Sequence, residues 1–317
     1  MPDPTPFAAE LDAALAAARA AASVIAEHAG GLGGRHGAAS DAEAQTEAAS
    51  GTALAAGEVR AKSAHDLVTF VDLEAQRRIL AVLAERFPAD AVLAEEDWAT
   101  ADGPDAARPG RAWIVDPLDG TTNFSHNVPP YAVSVALQVD GRTDVAVVLD
   151  VSADETFAAT RGGGAWVQGD GARRPLRVSE TAELAASLVA TGVPFRDYRY
   201  LGGYLAAFEA VARGTRGIRR HGSAAVDLAW VADGRFDAFF EAGLAPWDAA
   251  AGVLLVEEAG GVVAGLWDGA DPVFTGGLTA CAPGVDAALR QAVAPLGEAF
   301  ASRDQSEGDG REPRARL

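Results

Sequence analysis

An apolar run, Trp113-Ile114-Val115, leads straight into Asp116-Pro117-Leu118-Asp119-Gly120-Thr121-Thr122. Its two carboxylates, three residues apart, are hard oxygen ligands on a rigid support. Pro117 fixes a bend between them. Gly120 and the two threonines can open a helix whose first N–H groups point outward, a setting that attracts anions. The combination suits a phosphate held against a divalent cation. The plainer alternative is a strand–turn–helix in which Asp and Thr only cap.

Other candidates lie at a distance in the chain. Ala91-Val92-Leu93-Ala94 delivers Glu95 and Glu96. Such a pair is usually a solvated acidic face, but an apolar strand leading directly into it argues for a site. Pro246-Trp247-Asp248 precedes Ala-Ala-Ala-Gly, which by itself is a helix start with Asp as cap. The chain has 26 basic residues and Lys62 is its one lysine. A compact ammonium does what a guanidinium fork cannot, so chance and function both remain open there. The histidines at 28, 36, 65, 126 and 221 lack zinc spacing. No nucleophile elbow, Walker loop or dinucleotide fingerprint occurs.

The chain resembles the inositol monophosphatase family of metal-dependent phosphatases. The resemblance rests on Lys62 through Asp66-Leu67-Val68-Thr69 to Asp72, on Ala94-Glu95-Glu96, and on the 113–124 stretch. It continues in Gly222-Ser223-Ala224-Ala225, Phe240-Glu241, Pro246 to Gly252 and Glu258 to Gly261. These segments lie in family order over roughly residues 60 to 265. Ala94 and Asn127 depart from the family pattern, and neither removes a ligand.

The resemblance implies roles. Asp116 would bridge two metals. Glu95 and the Leu118 carbonyl would serve the first metal, and Asp119 and Asp248 the second. The implied cofactor is Mg²⁺, about two or three ions per site. Thr121, backed by Asp72, would orient the attacking water. The expected catalytic set is Thr121, Asp72, Glu95 and Lys62. Asp119, Gly120, Thr121, Gly222, Ser223, Ala224, Glu241 and Asp248 would bind substrate, with Glu241 taking hydrogen bonds from ring hydroxyls.

The expected reaction is hydrolysis of a small polyol phosphate, foremost myo-inositol 1-phosphate. Fructose 1,6-bisphosphate, histidinol phosphate or a nucleotide 3′-phosphate are alternatives. A non-catalytic regulator binding an RNA complex on the same scaffold is the alternative of another class.

Elements must bring these residues together. The 317 residues are 49% hydrophobic and 22% charged, which allows a sizeable core. A net charge of −19 disfavours nucleic acid and anionic membrane as partners. With Cys281 the one cysteine, no internal disulfide can form. The N-terminus has no basic signal region, and a cytoplasmic homodimer is expected.

The pattern predicts an N-terminal helix within 1–29 and a flexible Gly/Ala/Ser insert over 30–57. An α+β metal-binding half over 58–180 and an α/β substrate-side half over 181–298 follow, with a disordered tail over 299–317. Asp72 is expected to start a helix with Leu73, Ile79, Leu80, Leu83 and Phe87 inward. Asp140-Gly141 predicts a type I′ hairpin. A strand is expected at Leu176–Val178. With the resemblance, the fold class is a layered αβαβα sandwich.

Overall fold

The computed structural model describes residues 7–29, 59–63, 66–100 and 110–303, with only the backbone at 59–63, 66–69 and 98–100. The expected insert at 30–57 and the tail beyond 303 lie outside the described residues. So does the Lys62 side chain.

Helix α1 (Ala8–His28) is alanine-rich, and its buried side is Ala13, Ala14, Ala17, Ala18 and Ala21 with Val24 and Ile25. Such small residues let a second helix approach closely. Strands β1 (Val59–Ser63) and β2 (Asp66–Thr69) form a small antiparallel pair. Helix α2 (Phe70–Arg86) packs on α1. It begins two residues before the expected Asp72; of the residues expected inward, Ile79 and Leu83 are buried and Leu80 and Phe87 half-buried, and Leu73 alone faces out. Val71, Ala75, Ile79 and Leu83, each four apart, are buried, whereas Leu73 is 46% exposed.

Strand β3 (Ala91–Ala94) leads into a 3₁₀ segment at Glu95–Thr100. Strand β4 (Arg111–Asp119) is followed by the short helix α3 (Thr121–Ser125). Strands β5 (Ala132–Val139), β6 (Arg142–Asp150), β7 (Glu155–Thr160), β8 (Gly164–Gln168) and β9 (Arg174–Pro175) complete a seven-stranded sheet in the order β3 to β9. Asp140 and Gly141 have φ of 48° and 80°, as a type I′ turn requires. The last strand is at 174–175, not at Leu176–Val178: there Leu176 donates its N–H to the Ala165 carbonyl, Val178 turns to Ala259, and the ladder ends.

The second half holds β10 (Leu188–Thr191), α4 (Leu201–Gly214), β11 (Gly217–Arg219) and α5 (Ala224–Ala232). It continues with β12 (Ala238–Ala242), α6 (Pro246–Glu258), β13 (Val262–Gly265), β14 (Gly277–Cys281) and α7 (Asp286–Ser302). The sheet order is β11-β10-β12-β14-β13, parallel through the first three and antiparallel at β14 and β13. Strand β13 was not anticipated, because four half-buried residues between glycines show no period. Helix α7 runs to Ser302, past the expected tail start at 299.

These elements stack as an αβαβα sandwich. α1 and α2 cover one face of the first sheet, α5 and α6 fill the space between the sheets, and α4 and α7 cover the second sheet. Cys281 is a free, buried thiol in β14.

Trp113 anchors the strand that carries the acidic pair. It is fully buried, its ring lies 5.6 Å from Phe87, and its Nε1–H donates to Asp90 at 3.1 Å. Trp113→Ala is expected to cost about 3–5 kcal/mol of stability. Denaturant unfolding checks this, and a loss under about 1 kcal/mol would contradict it.

Candidate functional site

Residues three apart in a regular strand point to opposite faces, since side chains alternate with a period of two. Asp116 and Asp119 nevertheless converge. Asp116 pairs with Ser134 and Asp119 with Ala132, so three steps on β4 oppose two on β5. This bulge inserts one extra residue and returns Asp119 to the side of Asp116. The bend expected at Pro117 does not end the strand: β4 continues through Pro117 to Asp119. Asp116 also accepts the Leu118 N–H at 2.9 Å, which locks the bulge from inside.

Asp248 arrives from the first turn of α6. Asp248 is not the cap residue itself, since α6 starts at Pro246 after Ala245; it is the third helical residue, and one of its oxygens reaches back to accept the Ala245 N–H at 2.7 Å. The same carboxyl also reaches the acidic pair: Asp116, Asp119 and Asp248 each offer an oxygen within 4.8 Å of the other two. Glu95 lines the same cavity from the start of the 3₁₀ segment, outside that tight group of three.

The electrostatic consequence is severe. Burial, then Glu95, Asp119 and Asp248, push the Asp116 carboxyl well above the usual carboxylate range. Burial and Asp248 push Asp119 up to about 7. Asp248 is raised as well, chiefly by burial. Such a group holds protons or a cation. Its donors are all oxygen, with no imidazole or thiolate, which fits a hard divalent ion.

The remaining residues frame this group. Thr121 Oγ1 lies 3.1 Å from both Asp72 Oδ1 and the Leu118 carbonyl, and can donate to either. Gly120 caps α3 with φ of 91°, and a side chain there would press on the Pro130 and Gly222 carbonyls. α3 has only five residues, so it brings amides to the site with little helix dipole behind them. Ser223 Oγ and Ala225 N–H both donate to Asp119 Oδ2, at 2.7 and 2.8 Å.

A cavity of about 310 Å³ opens above the carboxylates. Glu95, Asp116, Leu118, Asp119, Gly120, Thr121, Gly222, Ser223, Ala224, Glu241 and Asp248 all line it. Asp72 stands behind Thr121. Glu241 lies across the cavity in β12, raised well above the usual range by burial and by Asp227 and Asp248.

Gly192, Phe195, Arg196 and Arg220 were not anticipated in the lining. Gly192 is needed because a side chain there would fall on the Glu241 carboxyl. Its one sequence signal is a glycine at the end of β10, where ligands of open α/β sheets gather. The arginines carry no local signal.

The Inositol monophosphatase family profile matches residues 9–297. Nus factor SuhB of Escherichia coli (strain K12) is 42% identical over 232 residues, 73% of this chain and 84% of that protein. Inositol-1-monophosphatase of Mesorhizobium japonicum is 39% identical over 236 residues, 74% of this chain and 86% of that protein. The structure of inositol monophosphatase from Anabaena superposes with a TM-score of 0.71 at 32% identity, over 91% of this chain and 96% of that one. Shared motifs, shared layers and a profile match over nearly the whole chain agree: this protein belongs to the inositol monophosphatase family.

Proposed function

We propose that the chain is a Mg²⁺-dependent phosphomonoesterase whose preferred substrate is myo-inositol 1-phosphate. The observation that carries the reading is the convergence of Asp116, Asp119 and Asp248 within 4.8 Å on a cavity of about 310 Å³. Asp116 would be shared between two ions, with Glu95 and the Leu118 carbonyl on one side and Asp119 and Asp248 on the other. Bound Mg²⁺ supplies neutralising charge and a water of lowered pKa.

The chain's own groups do the positioning. Thr121 donates its hydroxyl hydrogen bond to Asp72, which leaves an oxygen lone pair to accept a hydrogen bond from the attacking water and so orient it. Gly120, Thr121, Ser223 and Ala224 line the phosphate end. Glu241 meets the polyol hydroxyls opposite. The reading takes the enzyme to be a cytoplasmic homodimer. Among the described residues no helix is long and apolar enough to cross a membrane.

Phosphate release from a panel of esters, with and without Mg²⁺, tests the reading. Glu241→Gln should lower kcat/KM on inositol phosphate by about 10- to 100-fold, as a hydrogen bond to a charged group is worth roughly 1.5–3 kcal/mol. An aryl phosphate should lose less than about threefold, since it lacks those hydroxyls. Equal losses would overturn the polyol assignment. Arg196 and Arg220 in the lining favour one runner-up, a substrate with a second anionic group such as fructose 1,6-bisphosphate. The similarity to relatives named Nus factor SuhB favours a second role, non-catalytic and regulatory, toward an RNA complex.

A further inference from the structure

We propose that His221 and Asp227 form a clamp that positions Asp119 for its metal ion. The inference rests on the reading of Asp119 as a ligand. His221 Nδ1 lies 2.9 Å from Asp227 Oδ1. The Asp227 carboxylate can only accept, so the imidazole donates from Nδ1. The His221 ring stacks on Phe236 at 5.2 Å and 26°, and Trp230 meets it edge-on at 5.2 Å. The Asp227 side chain is 2% exposed and that of His221 24%. The pair is thus mostly shielded from water, where a hydrogen bond to a charge is strong and an unpaired carboxylate is costly.

The clamp acts on a short loop. Asp227 sits on α5, one turn beyond the loop, so the bond folds residues 221–225 back on the helix they open. The other side of the loop is held from α3. Asn123 Nδ2 donates to the His221 carbonyl at 2.7 Å and to the Pro130 carbonyl at 2.8 Å. Gly222, with φ of 88°, then makes a turn that a side chain would strain. Ser223 and Ala225 follow, and both give their hydrogens to Asp119 Oδ2. With both donors on one oxygen, the other oxygen is left to the cation. Second partners of this kind orient a ligand before the ion arrives and are commonly worth about 10- to 100-fold in affinity. Asp119 belongs to the first sheet and the clamp to the second half, so the pair also ties the site across the sandwich. The plainer reading is a packed histidine that serves stability alone.

The two readings separate on metal binding measured without substrate. Calorimetric titration of the intact protein with Mg²⁺ is the direct readout, with kcat and KM at saturating Mg²⁺ beside it. His221→Phe keeps the stack and deletes the donor. It should weaken Mg²⁺ binding by about tenfold while KM for the phosphate ester at saturating Mg²⁺ stays within about twofold. His221→Asn restores an N–H near the Nδ1 position and should recover most of the affinity. Mg²⁺ affinity in His221→Phe equal to wild type, or equal weakening in Phe and Asn, would overturn the clamp. If His221→Phe fails to fold, His221→Asn against His221→Ala decides: the clamp requires tighter binding in Asn, and equal affinities overturn it. Wild-type protein that binds no Mg²⁺ would overturn the functional reading itself. Wild-type binding with unaffected variants would overturn the clamp only.

Discussion

Asp116→Asn is expected to lower kcat by about 10³-fold or more, equivalent to roughly 4 kcal/mol of transition-state stabilisation. The substitution keeps the volume of the side chain. It also keeps an oxygen to accept the Leu118 N–H, now at 2.9 Å, so the bulge has no reason to open. What it removes is a negative charge placed among Glu95, Asp119 and Asp248. That charge would be shared by both ions, and no neighbour can replace it. The same change should raise the melting temperature of metal-free protein, since it relieves like-charge repulsion in a buried site. Initial rates and thermal unfolding in chelator check both halves. Activity within a few-fold of wild type would contradict the central role of Asp116. A variant that is silent in catalysis yet keeps a cellular role would instead favour the regulatory reading.

Metal-free protein should lose stability as pH rises from about 4 to about 7, against the usual trend for proteins rich in paired carboxylates. The sign follows from proton counts. Asp119 is pushed from 3.8 to about 7 on folding, so in this window the native state binds more protons than the unfolded state. At 1.36 kcal/mol per pKa unit the penalty at pH 8 is roughly 4 kcal/mol from this group. Asp116 and Asp248, also raised, act in the same direction. Below pH 4 the trend reverses, because carboxylates such as Asp197, held down by Arg199, lose that benefit on protonation. Mg²⁺ should stabilise the protein more at pH 8 than at pH 5, since its ligands must be deprotonated. Thermal melts across pH, with chelator and with Mg²⁺, measure this. In Asp119→Asn the decline in chelator should flatten, and an unchanged slope would assign it to other groups.

The chain by itself determined most of the elements, and its resemblance to a known family supplied their layering and most of the site's inventory. Alternating and helical periods reported most elements, because each period records which faces are buried. Asp140-Gly141 announced its hairpin through the φ values that only such residues tolerate easily. The acidic, glycine and threonine positions were legible because they follow apolar strands or open helices. Local chemistry could not decide convergence. The spacing of Asp116 and Asp119 places them on opposite faces of a regular strand, and only the pairing of β4 with β5 reveals the extra residue that reunites them. Whether Asp248 capped a helix or faced a cation was undecided in sequence, and the structure shows one carboxyl in a position for both. Strand β13 and the outward turn of Leu73 on α2 depended on neighbours that no local pattern names. Gly192 beside Glu241, and His221 against Asp227, are contacts across separate elements. Their residue types are ordinary, and proximity, which only the folded chain supplies, gives them meaning.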